Sequence, residues 1–278
     1  MKTLKRITKK LIFILLPFVL IAAVLEAGVF ISHTSPRFIP STKTDISDIL
    51  KQETFSGEDY KTLFEQTGLT QISVDALVAD NKKDDLLKFQ KNYFSEPEFI
   101  PEQFSPFTCC HVTVKEIPTA PLQRGDIIIT PTTHFSFFNI GHAALVVDTE
   151  ENLIINATGY DYKSSIDPVS TVTQRPAFII LRPKIEAQKR LEAVDYALNN
   201  MKDLQYSVSL GIIGNKFEET PTRTNCGHIV WYAYKKVGLD IDSNGGRLVL
   251  PRDIIQSEHF EIVQVYGMDA KDLPSYPY

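Results

Sequence analysis

Apolar residues follow two different rhythms along this chain. Between residues 44 and 106 they recur at helical spacing. Asp45 to Lys51 gives one short helix, and Ser56-Gly57-Glu58-Asp59 opens a second, with Tyr60, Leu63 and Phe64 on its apolar side and Gly68 as its stop. Ser73 to Phe94 carries Val74, Leu77, Val78, Leu86, Leu87, Phe89 and Tyr93 at core spacing, and the polar run Asn81 to Asp85 divides it into two helices. Glu96 to Pro106 is rich in Pro and Phe and reads as irregular.

From Val112 the rhythm becomes that of strands. Gly125-Asp126 turns into the apolar run Ile127-Ile128-Ile129-Thr130. Pro131 to Asn139 is a loop holding His134, Phe135, Phe137 and Phe138, and Gly141-His142 opens a second run through Ala143 to Asp148. The polar turn Thr149 to Asn152 leads into Leu153 to Ala157, so the two runs form an antiparallel hairpin. Phe178 to Leu181 and Glu261 to Tyr266 are further strands, and Ile185 to Met201 is an amphipathic helix.

The last helical pattern begins at Cys226. Ile229, Val230, Ala233 and Val237 form its buried stripe, widened by Trp231, Tyr232 and Tyr234. Thr220, Thr222 and Thr224 offer N-caps, Lys235 and Lys236 suit the negative end of the dipole, and Gly238 is a natural stop. Cys226 thus sits in the first turn, where the dipole favours a thiolate. A cysteine there serves as a nucleophile or packs as a small hydrophobe. Gly227 leaves room beside the sulfur on the first reading.

A nucleophilic thiol needs a base and a polar group to orient that base. His142 is the best base, because it opens an apolar strand directly after a glycine; its other role is that of a core histidine bonded to a backbone carbonyl. His228 lies two residues after Cys226, on another side of the helix. Asn156 interrupts the apolar strand Leu153 to Ile155, and a buried amide there needs partners. A tight turn pairing Asp148 with Leu153 puts Asn156 on the face opposite His142, whereas a shift of one residue unites them. Asn156 is alternatively a cap of its own strand end. Gln205 and Tyr206 either line the site or belong to the core.

The N-terminus adds a location. Lys2, Lys5, Arg6, Lys9 and Lys10 precede the apolar run Leu11 to Leu25, which resumes after Glu26. Residues 1–32 read as an uncleaved signal anchor spanning the membrane, with a cleaved secretory signal peptide as the alternative. Either way the basic flank stays in the cytoplasm and the body is exported. No cysteine follows this run, which excludes a lipoprotein signal. Residues 33–43, with Pro36 and Pro40, read as a tether. The net charge is −5, and five cations lie in the first ten residues, so the rest stands at about −10. No basic face is left for a nucleic acid. The three cysteines, Cys109, Cys110 and Cys226, give no disulfide framework and no metal-ligand spacing, so neither metal nor cofactor is expected. Cys109 and Cys110 read as buried, or as a strained vicinal disulfide.

Taken in order, Gly125-Asp126-Ile127, then Gly141-His142 with its apolar strand, then Cys226-Gly227-His228 with its helix, then Leu250-Pro251-Arg252-Asp253 resemble the circularly permuted papain-like amidases, relatives of the NlpC-type cell-wall peptidases. Gln66-Thr67-Gly68-Leu69 is similar to a segment of exported Gram-positive members. The resemblance spans roughly residues 115–265. It implies Cys226 as nucleophile, His142 as base and Asn156 at the third polar position, where the family often has Glu or Gln; Gly227 replaces a common serine. The expected fold is therefore α+β: a permuted papain-like domain over residues 112–278, its antiparallel sheet packed on the cysteine helix, after a helical accessory region at 44–111 and the anchor. The expected activity is hydrolysis of an amide, in cell-wall peptides, through a thioacyl intermediate. The alternatives are a lipid acyltransferase or thioesterase, with Phe135, Phe137 and Phe138 lining an apolar groove, and a papain-like surface protein that binds without catalysis.

Overall fold

The structure, a computed structural model, describes residues 12, 14–24, 37–105, 108–135, 138–159, 161–212 and 214–269, with the side chains of 101–105, 108–110, 134–135 and 138–139 outside that description. It is a mixed α+β protein built on one six-stranded antiparallel sheet. In chain order the sheet strands are β3 (Ile127–Thr130), β6 (His142–Asp148), β7 (Leu153–Asn156), β8 (Ser165–Pro168), β9 (Phe178–Pro183) and β12 (Phe260–Tyr266). They lie side by side in the order β12-β9-β3-β6-β7-β8.

Both faces of this sheet are covered, which is why its strands read as unbroken apolar runs rather than alternating ones. Ile127, Ile129, Ala143, Leu145, Ile179 and Leu181 face helices α6 (Ala187–Asn200) and α7 (Cys226–Lys236). Ile128, Ala144, Val146, Ile154 and Ile180 face the N-terminal helices α1 (Ser47–Leu50), α2 (Gly57–Thr67), α3 (Gln71–Ala79) and α4 (Asp85–Tyr93), and the short helix α5 (Ser170–Thr173) adds Val172 to that cluster. The helical region is thus half of a shared core. Its seam is the Gln66-Thr67-Gly68-Leu69 segment. Gly68 adopts φ +73°, and a Cβ there would lie 2.0 Å from the carbonyl oxygen of Val265. Val265 N–H donates to Gly68 O at 2.8 Å and Leu69 bridges to Gln264, so the α2–α3 turn lies along the free edge of β12. Gln66 accepts from Thr44 N at 2.8 Å and from Gln90 Nε2 at 3.0 Å.

Local signals explain most boundaries. Ser56 and Asp59 form the reciprocal capping box that opens α2. The break at 81–85 separates α3 from α4 as expected. Other expectations change. Residues 100–105 are not irregular: β1 (Ile100–Ser105) pairs with β2 (Thr108–Val112), and the loop after β3 adds β4 (His134–Phe135) and β5 (Phe138–Asn139) to that second sheet. Strand β8 was not expected, because its pattern Ser-Ile-Asp-Pro is polar on one face and half-buried on the other. The cap of α7 is Asn225, not one of the threonines: its Oδ1 accepts the His228 N–H at 2.9 Å. The expected tether is docked at residues 37 and 38. Arg37 donates to the carbonyls of Asn92, Tyr93 and Ser95 at the end of α4, and Phe38 N–H donates to Gly267 O at 3.0 Å.

Residues 14–24 are helical and their large apolar side chains are exposed. Among the described residues no helix is long and apolar enough to cross a membrane. The rest of the proposed anchor, with Pro36, lies outside the described residues.

Candidate active site

The register of the β6–β7 hairpin decides whether the three candidate groups meet. Asp148 does pair with Leu153, as a tight turn requires. The ladder then slips by one residue at Val147, so that Val146 pairs with Ile154 and Leu145 with Ile155. This bulge carries Asn156 onto the face that holds Ala144 and His142. It is the one-residue shift on which the sequence was silent. On the far side Asn156 pairs with Ser165 and Ile154 with Asp167, so Ser165 and Asp167 of β8 share that face as well.

A hydrogen-bonded line results. His142 Nε2 lies 3.1 Å from Asn156 Oδ1. Asn156 Nδ2 donates to Asp167 Oδ2 at 2.8 Å, and Ser165 Oγ donates to the same oxygen at 2.6 Å. His142 and the Cys226 sulfur act on each other through a hydrogen bond and charge, and with Nε2 taken by the amide, Nδ1 is the nitrogen left for the sulfur. Cys226 and His142 are 9% and 8% exposed and Asn156 is fully buried, so these bonds act in a weakly screened environment.

Burial alone would push the Cys226 thiol up. The hydrogen bond from His142, its charge, and the backbone amides of Ala143 and Gly227 outweigh burial and hold the thiol below its ordinary value. Burial likewise would lower His142. The Cys226 sulfur, the Asn156 amide and the charge of Asp167 together raise it instead. The two shifts are one statement: the site favours thiolate and imidazolium over thiol and imidazole. Tyr206 is half-buried against this pair, and burial with the nearby Cys226 charge pushes its phenol up.

The glycines of the motif have mechanical reasons. Gly141 has φ +66°, and a Cβ would come within 3.0 Å of Thr130 O and 3.3 Å of Pro251 Cβ. Gly227 was expected to open space for a ligand. That space is filled: its Cβ would be 2.1 Å from the carbonyl oxygen of Val249. Its role is to let the 249–251 segment cross the start of α7. The same segment opens helix α8 (Pro251–Ile255), where Asp253 Oδ2 accepts Leu250 N–H at 2.9 Å. The Leu-Pro-Arg-Asp motif is therefore a brace over both glycines beside Cys226 and His142. Asp126 of the Gly-Asp-Ile motif is wholly buried and takes Arg182 in a two-pronged pair at 2.8 and 2.7 Å. Tyr234 of the cysteine helix donates to Gly125 O, tying α7 to the same turn.

His228 is no base. Its Nδ1 bonds Thr224 Oγ1 at 3.1 Å and its Nε2 bonds Lys216 O at 3.0 Å, and burial lowers it to about 4. Phe138 lies on β5, and its side chain, with those of Phe135, Cys109 and Cys110, is outside the description; Phe137 is outside the described residues altogether. Gln205 is exposed on the short strand β10 (Gln205–Tyr206), which pairs in parallel with β11 (Arg223–Thr224) and so leads Tyr206 alongside the approach to Cys226. Sequence reasoning missed Asp167. Its signal was an acidic residue set two positions from Ser165 just before a proline, in a segment too polar to be read as a strand. Among the described residues no group of acidic, histidine or cysteine side chains is arranged to hold a metal ion.

No family model matches the chain. It is 26% identical over 146 residues to "Uncharacterized protein YycO" of Bacillus subtilis (strain 168), covering 52% of this chain and 56% of that protein. The chain thus spans little more than half the length of this relative.

Proposed function

We propose that the protein is a cysteine hydrolase of the permuted papain-like kind, cleaving an amide through a thioacyl intermediate. The observation that carries this reading is the line Cys226–His142–Asn156, in which the sulfur stands at a helix N-terminus and both ring nitrogens of the histidine are engaged. The Cys226 thiolate attacks the acyl carbon, and His142 Nδ1–H gives its proton to the departing amine. Water then adds to the thioester, His142 takes its proton, and the thiolate leaves. The backbone N–H of Cys226, free in the first turn of α7, supplies a donor for the developing oxyanion. Asn156 holds the imidazole ring in its orientation throughout.

Charge and location supply the substrate class. A basic flank followed by an apolar run supports export of the body as a single-pass protein, and outside the cytoplasm the amides of cell-wall peptides are at hand. The test is trapping of the intermediate. Mixed with p-nitrophenyl acetate, the protein should release a burst of p-nitrophenolate stoichiometric with enzyme and leave an acetyl group on the peptide carrying Cys226. Absence of both burst and adduct in the folded protein would overturn the reading. Protease digestion of intact protoplasts should remove the body, and protection of the body would refute the location.

A further inference from the structure

The line of hydrogen bonds does not stop at Asn156. We propose that Asp167 is a positioning residue that, through the Asn156 amide, holds His142 in the form able to donate to the Cys226 thiolate. This rests on the hydrolase reading above and adds to it a residue three hydrogen bonds removed from the sulfur.

The argument begins with the symmetry of an amide. The oxygen and nitrogen of an Asn side chain have nearly the same size, so packing does not choose between its two orientations; only hydrogen-bond partners do. Asn156 is fully buried between His142 and Asp167. A carboxylate accepts and never donates. Asp167 Oδ2, 2.8 Å from Asn156, therefore requires the NH2 group on its side, and Oδ1 is turned to His142 Nε2. An oxygen there accepts from Nε2–H. The imidazolium then finds an acceptor on each side, the amide oxygen at Nε2 and the thiolate at Nδ1. With the amide reversed, two donors would face each other across the 3.1 Å contact, and the doubly protonated ring would lose its partner.

Asp167 is itself held for the task. Ser165 Oγ donates to the same oxygen at 2.6 Å, and the β7–β8 register puts Ser165, Asp167 and Asn156 on one face. The titratable groups acting on the pair from the surrounding elements are His142 of β6, Cys226 of α7, Tyr206 of β10 and Asp167 of β8. Of these, only Asp167 adds negative charge behind the imidazolium.

The experiment compares full-length protein carrying Cys109→Ser and Cys110→Ser with the same protein bearing Asp167→Asn, Asp167→Glu or His142→Ala. The rate of Cys226 alkylation by iodoacetamide is followed from pH 4 to 10. Asn at 167 has a donor to offer and frees the amide to reverse. Asp167→Asn should move the acid limb up by about one pH unit, lowering the rate about tenfold at any pH on that limb. Asp167→Glu, still acceptor-only, should keep most of the parent profile. The inference is overturned if Asp167→Asn overlays the parent while His142→Ala does not; a parent profile indifferent to His142 instead strikes the hydrolase reading. Should Asp167→Asn fail to fold, the 15N spectrum of the His142 ring in the parent decides. Nε2 protonated at every pH, with Nδ1 the nitrogen that titrates, supports the inference, and the reverse assignment overturns it.

Discussion

Replacing Gly227 by Ala sets two effects of opposite sign against each other. Alanine is the better helix former by about 1 kcal/mol in a helix interior, so the local sequence of α7 alone predicts a more stable protein. The new Cβ, however, would lie 2.1 Å from Val249 O and 3.0 Å from Val249 C. Carbon and oxygen atoms in contact need about 1 Å more than that shorter distance. The obstacle is backbone, and it cannot swing aside as a side chain would. Leu250 N–H is bonded to Asp253 at 2.9 Å, and Pro251 already crowds Gly141. Overpacking of this kind costs about 1–3 kcal/mol, and an immovable backbone obstacle puts it toward the upper end, so the steric effect wins and the variant loses up to about 2 kcal/mol net. The strain falls on the turn that carries Cys226, so alkylation of the thiol at pH 6 should slow as well. Urea unfolding with an unchanged m-value reads the first effect and iodoacetamide kinetics the second. A midpoint equal to or above that of the parent, with Cys226 as reactive as before, would refute the reasoning and return Gly227 to an open role beside the sulfur.

Other consequences follow from the same contacts. Asn156→Ala removes a hydrogen bond to a charged ring worth about 1.5–3 kcal/mol, so turnover should fall about 10- to 100-fold with a smaller change in KM; equal kcat would place Asn156 outside the mechanism. Asp126→Ala leaves the Arg182 guanidinium buried without its partner and should cost about 3–5 kcal/mol in chemical unfolding, while a loss below 1 kcal/mol would contradict the clamp. His228 is held neutral down to about 4, below the ordinary 6.5, so the unfolded chain binds the extra proton first. Its contribution is complete above pH 6.5 and is lost as pH falls toward 4, amounting to about 3 kcal/mol at the lower limit. Thermal melts of His228→Asn should therefore show a shallower decline than the parent across that window, and parallel curves would refute it.

Much of this arrangement was legible because the sequence is locally consistent. The apolar runs at 127–130, 142–148 and 178–181 are long enough to be strands whatever their partners. Ser56, Gly68 and the polar break at 81–85 punctuate helices by rules that need no tertiary contact. Cys226 at a helix start and His142 after a glycine were visible in the same way. What escaped depends on contacts between distant segments. The bulge at Val147 is invisible in a hairpin whose residues fit either register, yet it alone brings Asn156 beneath His142. Asp167 could not be found without β8, a strand of only four residues with one polar face. Gly227 was misread because its neighbour, Val249, lies twenty-two positions away in the chain. The threonines before Cys226 satisfied the cap rule as well as Asn225 does, and the parallel β10–β11 pair decided between them.

The measurement that bears most directly on the account is the pH dependence of Cys226 alkylation in protein carrying Cys109→Ser and Cys110→Ser, with and without His142→Ala. If thiolate and imidazolium form one pair, the sulfur reacts well below the ordinary thiol value of about 8.5, and removal of His142 returns it to that value or above. A thiol that titrates normally, or one whose profile is the same with alanine at 142, would contradict the account.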